Sequence, residues 1–259
     1  MSLKKKTKWL IVGNWKMNPI YIKDAKKIFS GIKKVASRMK NVDTVICPPF
    51  IYLSELKSSG HRCVLGSQDI FYEPEGSHTG NISYLQVKNL GIKYSIVGHS
   101  ERRVQGESDE IINKKIKASL RAMVTPILCI GEEDRVLNGD HFHFLKNQLE
   151  TNLTGLPKNS IKDIVIAYEP IWAIGKDAKR EPTPEEIFAV VIFIKKVLSD
   201  IYGTKSVPPT KILYGGSVDQ KNIEEILKDG GVDGVLVGRA SLVSEKFGNL
   251  LKIADNLKR

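Results

Sequence analysis

The sequence predicts an α/β protein whose strands close into one parallel (βα)8 barrel, a TIM barrel. Three observations predict it. Short, near-continuous apolar runs alternate with stretches of helical spacing, and the alternation repeats eight times. No linker or low-complexity break interrupts it. The chain has 259 residues, and a barrel of this kind occupies about 250. Residues 1–259 are therefore expected to form a single domain, with 1–8 as a basic tail. An open doubly wound sheet is the alternative, but no Gly-x-Gly-x-x-Gly turn follows the first apolar run.

The strands are expected at Trp9–Val12, Thr44–Cys47, Cys63–Ser67, Tyr94–Gly98, Pro126–Ile130, Ile164–Tyr168, Lys211–Tyr214 and Gly234–Val237. Their apolar runs are unbroken rather than alternating, which suits strands buried on both faces. Between them lie helical stripes. Ile22, Ala25, Ile28, Phe29, Ile32, Val35 and Ala36 form one. Ile187, Val190, Val191, Ile194, Val197, Leu198 and Ile201 form another, opened by Thr183-Pro184-Glu185-Glu186. A threonine cap, proline at the first helical position and glutamate at the third make a strong start. Ser108 opens a helix carrying Ile111, Ile112, Ile116 and Leu120, and Phe247, Leu250, Leu251 and Ala254 mark the last.

Composition narrows the class. The hydrophobic fraction is 41% and the charged fraction 27%, as in ordinary globular proteins. No apolar run reaches the roughly 18 residues of a membrane span, and Trp9–Val12 is too short for a signal peptide. The cysteines Cys47, Cys63 and Cys129 are far apart, as expected for reduced thiols in a cytoplasm. The net charge of +11 favours anions. Its lysines are scattered over helix faces and no nucleic-acid motif accompanies them. His141 and His143 are two residues apart on a helix and face apart, so no metal is expected.

In a parallel barrel the C-terminal strand ends share one face, and chemistry sits there. Asn14 and Lys16 follow the first strand, and His99, Ser100 and Glu101 the fourth. Gly131 and Glu132 follow the fifth, and Glu169 the sixth. Gly215, Gly216 and Ser217 follow the seventh, and Gly238 and Arg239 the eighth. The last two turns free backbone N–H groups before helices, which suits a phosphate. A buried carboxylate can take a carbon-bound proton, and His99, Lys16 and Asn14 can donate to the resulting enediolate. Gly98–Arg102, GHSER, lacks the second glycine of a nucleophile elbow, so Ser100 reads as a helping hydrogen-bonder. Aldolase or lyase chemistry would want a lysine inside a strand, and a purely anion-binding protein would need only the charge.

Six motifs occur in order along the chain: GNWKMN (13–18), GHSERR (98–103), CIGE (129–132), YEPIWAIG (168–175), YGGSV (214–218) and LVGRASL (236–242). Together they closely resemble the triosephosphate isomerase family. The resemblance implies interconversion of dihydroxyacetone phosphate and D-glyceraldehyde 3-phosphate in glycolysis and gluconeogenesis, with no cofactor. It implies Glu169 as the base, His99 as the neutral electrophile and Lys16 as the substrate-binding cation. Asn14 orients that cation, and Glu101 contacts the polar network. Gly175, Ser217, Gly238 and Arg239 would bind the phosphate through their backbones. The apolar stretch after Glu169 is similar to the family's lid. The resemblance also implies a homodimer in which Thr79, in HTGNIS, reaches the partner's site.

The sequence departs from the family pattern in places. KDAKREP (176–182) is a longer, charged hinge. Arg239 stands where glycine is common, and the stretch after Arg103 is about one residue short. Asn81 replaces a usual glutamate, which leaves Arg102 expected to lack an acidic partner.

Overall fold

The computed structural model describes residues 7–56, 62–135, 139–174, 178, 180–203 and 210–257. In chain order the elements are β1 (Trp9–Asn14), α1 (Ile22–Ala36), β2 (Val42–Cys47), β3 (Cys63–Ser67), α2 (Tyr84–Asn89), β4 (Tyr94–Val97), α3 (Ser100–Val104) and α4 (Asp109–Ala122). Then come β5 (Thr125–Ile130), α5 (Asp140–Leu153), β6 (Val165–Tyr168), α6 (Pro184–Tyr202), β7 (Lys211–Tyr214), α7 (Ile223–Asp229), β8 (Gly234–Val237) and α8 (Ser244–Asn256). The eight strands pair in sequence order, all parallel, and β8 returns to β1 with Leu10 opposite Gly234 and Gly13 opposite Val237. This is the expected TIM barrel.

The unbroken apolar runs have a physical reason. Along each strand, successive side chains point to opposite faces. One set, including Leu10, Val12, Val45, Ile96, Ile127, Val165, Leu213 and Leu236, forms a cluster with no helical member, so it fills the barrel. The other set, including Trp9, Ile11, Ile46, Leu128 and Ile166, packs outward against Phe29, Ile32, Ile116, Val190, Ile194 and Leu250 of the helices. Both faces are largely dry, so inside the strands buried polar residues are few, such as Thr44 and Ser95, and most polar groups wait for the strand ends.

The helices start where their caps stand. Thr183 and Glu186 form a reciprocal capping box on α6, with Pro184 in its first turn, and the Ser108 side chain accepts the Ile111 N–H at the start of α4. Two departures from the expected rhythm appear. Between β2 and β3 the described residues carry a 3-10 turn, Phe50–Tyr52, in place of an α-helix. Pro48 and Pro49 lie directly after the strand, and prolines lack the N–H that helical continuation needs. After β4 there are two helices, α3 and α4, rather than one. β1 also runs two residues further than expected, so Asn14 ends the strand instead of following it.

Candidate active site

Glu169 follows β6 and continues the inward parity of Val165 and Ala167. It is 2% exposed. Its backbone N–H donates to the Ile130 carbonyl at 2.8 Å, so the ladder with β5 carries on past the strand and fixes the residue's position. Gly131 makes that approach possible, because a Cβ there would lie 1.7 Å from the Glu169 carbonyl oxygen. The carboxylate accepts the Ser100 backbone N–H at Oε2, 3.0 Å away. Its Oε1 stands 3.2 Å from His99 Nε2. Below it lies the buried Cys129 thiol, which burial first, and then the nearby Glu169 charge, push well up. The thiol therefore stays protonated beneath the acid.

His99 caps α3. Its Nδ1 accepts the Glu101 backbone N–H at 3.2 Å. An accepting nitrogen carries no proton, so the ring's hydrogen in the neutral form sits on Nε2, facing Glu169 and the cavity. The tautomer is thus set by the first turn of the helix that His99 itself caps.

Asn14 and Lys16 come from the end of β1. The Asn14 side-chain oxygen accepts the Lys16 backbone N–H at 3.0 Å. Lys16 has a φ of +53°, a left-handed conformation that non-glycine residues seldom adopt. It is held there at its carbonyl, which accepts the Gln68 side-chain amide at 2.8 Å. The same amide donates to the Cys47 carbonyl at 2.9 Å. The Lys16 ammonium then meets Glu101 Oε1 at 2.6 Å.

Asn14, Lys16, His99, Ser100 and Glu169 line one cavity of about 720 Å3, together with Gly215, Gly216, Ser217, Gly238 and Arg239. The β7 and β8 turns supply this second side. Asn222, one residue before α7, donates to the Ser217 carbonyl at 3.1 Å and also to Glu181 Oε2 at 3.1 Å. Gly238 accepts the Ser241 N–H and hydroxyl. Arg239 is exposed on the rim.

The apolar stretch after Glu169 forms a 3-10 turn, Ile171–Ala173. It is neither plain core nor solvated loop. Ala173 is buried, Ile174 lines the cavity and Trp172 is half-buried. The Trp172 indole N–H donates to Glu132 Oε1 at 2.9 Å, and the Tyr168 hydroxyl donates to the same oxygen at 2.8 Å. Glu132 also accepts the Ile171 N–H on its carbonyl at 3.0 Å.

The structure therefore brings Asn14, Lys16, His99, Ser100, Glu169, Ser217, Gly238 and Arg239 to one cavity, with Glu101 reaching it through Lys16 and His99 Nδ1. It is the Ser100 backbone, not its hydroxyl, that meets Glu169. Gly175, Lys176, Asp177 and Lys179 lie outside the described residues, as does 1–6 of the tail. Thr79 is exposed, far along the chain from these groups. One expectation is corrected. Arg102 does not lack an acid: its Nε meets Glu107 Oε2 at 3.0 Å and its Nη2 meets Asp69 Oδ2 at 3.1 Å. Both partners come from within the chain. Sequence reasoning placed Glu132 at a strand end without giving it a partner, and it missed Gln68 and Asn222 as structural partners of the site. Gln68 directly follows β3, so the rule that strand ends build the site would have found it.

A buried carboxylate beside an imidazole N–H, an ammonium across from it, and glycine-rich turns on the rim suit one kind of chemistry. They can move a proton on carbon beside a carbonyl while an anionic group is anchored. The fold and site thus define a barrel isomerase acting on a small phosphorylated carbonyl compound. Comparison with known proteins is specific. The triosephosphate isomerase family model matches residues 9–254. The curated triosephosphate isomerase of Dehalococcoides mccartyi is 40% identical over 254 residues, covering 96% of this chain and 98% of the relative. Those of Endomicrobium trichonymphae and Thermoanaerobacter pseudethanolicus are 40% and 38% identical, each covering more than nine-tenths of both chains. The chain belongs to the triosephosphate isomerase family. It interconverts dihydroxyacetone phosphate and glyceraldehyde 3-phosphate in glycolysis. Among the described residues, no helix is long and apolar enough to cross a membrane.

Proposed function

We propose that Glu169 is the base of this isomerisation and His99 its electrophile. Glu169 takes the proton from one carbon of the bound triose phosphate. His99 donates its Nε2 hydrogen to the carbonyl oxygen as charge builds there, giving an enediolate. The hydroxyl proton on the first carbon's oxygen passes to the other oxygen, with His99 Nε2 as the relay, and the protonated Glu169 returns its proton to the adjacent carbon, so the carbonyl moves by one carbon and no cofactor is consumed. Triosephosphate isomerases are the standard example of this pairing. The observation that carries the reading is the 3.2 Å between Glu169 Oε1 and His99 Nε2: base and donor lie within reach of one small molecule. Lys16 supplies positive charge to the substrate's oxygens, oriented through Asn14. Backbone N–H groups at Ser217, Gly238 and Arg239, with Gly175, hold the phosphate, which suits two glycine-rich turns on one rim.

The reading extends to assembly. A homodimer is supported by apolar side chains left in solvent near the site: Met17 is 92% exposed, beside Lys16, and Ile51 and Val104 are also bare. The loop over 73–81 is exposed throughout and carries Thr79, which would reach the partner's Asn14 and Lys16. One domain spanning the chain accords with closure of the barrel by strands from its two ends. A cytoplasmic setting accords with three buried free cysteines, Cys63 being pushed up to about 12 by burial.

A coupled isomerase assay on wild type and Glu169→Asp tests the base. Withdrawing the carboxylate by one methylene should lower kcat by about two to three orders of magnitude, with inhibition by inorganic phosphate nearly unchanged. A variant within tenfold of wild type would remove Glu169 from that role.

A further inference from the structure

The charged hinge after the Glu169 loop contains Arg180. Its two terminal nitrogens donate to the two carboxylate oxygens of Glu186, 2.7 Å each, in a forked pair. Its guanidinium carbon also lies 5.0 Å from the centre of the Trp172 ring, over the indole. The Arg135 guanidinium lies over the same ring at 5.7 Å. Trp172 is therefore held at its edge by Glu132 and over its ring by two cations from distant parts of the chain. Glu186 is itself immobilised. It is the third residue of α6 and accepts the Thr183 N–H at 2.9 Å in the capping box. The Arg180 hydrogen bond, ahead of its other surroundings, pulls the Glu186 carboxyl down to about 2, so the pair is charged at any working pH.

We propose that Arg180 is a positioning residue: it ties the turn after Glu169 to the first turn of α6 and so keeps the carboxylate aligned for proton transfer. The inference rests on the reading of Glu169 as the base. The path is short. Trp172 is three residues from Glu169, and the Ile171–Ala173 turn is hydrogen-bonded back to Pro170 and to Glu132. A forked guanidinium–carboxylate pair fixes direction as well as distance, which a lone ammonium does not. Anchoring the far side of the indole limits how far the turn, and the acid before it, can drift.

The test is a set of single variants assayed with the purified protein. Arg180→Ala should lower kcat about three- to tenfold, the size expected for a small loss of alignment. The KM and the inhibition constant of inorganic phosphate should stay within about twofold, because the β7 and β8 turns are untouched. Reading kcat separates alignment from the loss of a steering charge, which acts on kcat/KM. Glu186→Gln keeps a side chain able to cap but loses the ion pair, and should reproduce the fall. The double variant should be no worse than either single one. Arg180→Lys, which keeps the charge without the planar fork, should lie between. Trp172 emission, taken as the difference from Trp172→Phe, should shift in Arg180→Ala. Wild-type kcat in Arg180→Ala, an effect confined to KM, or additive losses in the double variant would each overturn the proposal. Glu169→Asp keeps the two readings apart. If it loses turnover while Arg180→Ala does not, only the positioning role fails; if it keeps turnover, the base assignment fails first.

Discussion

The two sides of the cavity are built on opposite principles. On the side of β1, β4 and β6 the working atoms are on side chains, buried or fixed by neighbours. Asn14 is 6% exposed, His99 8% and Glu169 2%, and each accepts a backbone N–H: Asn14 and His99 from residues two further along the chain, Glu169 from Ser100 at another strand end. On the side of β7 and β8 the residues are glycines and small or exposed ones, and in the reading proposed above what they offer the phosphate is backbone. The difference follows from the task. Proton transfer needs particular pKa ranges and lone pairs, which only side chains provide. Holding an anion needs several N–H dipoles converging, which the main chain provides most rigidly. On that reading one side is open to loss through its side chains, and the other chiefly at its glycines, such as Gly216, where a Cβ would lie 2.2 Å from the Tyr214 hydroxyl oxygen.

Substitutions can break or sharpen that contrast. The largest effect is expected at His99. His99→Gln removes the ring hydrogen aimed at the cavity and should lower kcat by about two to three orders of magnitude. Steady-state kinetics would measure it, and a loss in KM alone would show the imidazole serving to bind rather than to polarise. Gly215 sits at the seam. A Cβ there would lie 2.9 Å from Glu169 Cγ, so Gly215→Ala should lower kcat about tenfold by moving the acid. Inorganic phosphate should still inhibit at nearly the same concentration, and a parallel loss of both would mean the two sides are not separable. The smallest effect is expected on the backbone side. Ser217→Ala leaves the N–H in place, so KM should stay within about threefold of wild type. A larger rise would mean the hydroxyl, not the main chain, meets the phosphate.

The barrel was legible because burial on both strand faces leaves an unmistakable run of apolar residues, as in Cys63–Ser67 or Gly234–Val237, whose bounds agree with the structure. The meeting of Asn14, Lys16, His99 and Glu169 was legible for the same reason, since closure brings all strand ends together. What the sequence hid were contacts made by one side chain to another without a spacing that announces them. Arg135 and Arg180 reach one indole from either side of β6, and nothing in either neighbourhood announces it. Arg102 read as unpaired because Asn81 stands where the family has a glutamate, while the acids it does meet, Asp69 and Glu107, belong to other turns. That the described residues between β2 and β3 form a 3-10 turn in place of an α-helix was hidden too, since apolar residues such as Phe50, Ile51 and Tyr52 serve a single 3-10 turn as well as a helix.

Lys16 occupies a left-handed backbone well that costs a side-chain-bearing residue about 1–2 kcal/mol. Gln68 clamps that conformation by grasping the carbonyls of Lys16 and Cys47 with one amide group. Where the Lys16 ammonium stands before any ligand arrives thus depends in part on a neutral residue that does not line the cavity. A lineage could lose its ammonium's aim without altering a single residue that meets the ligand.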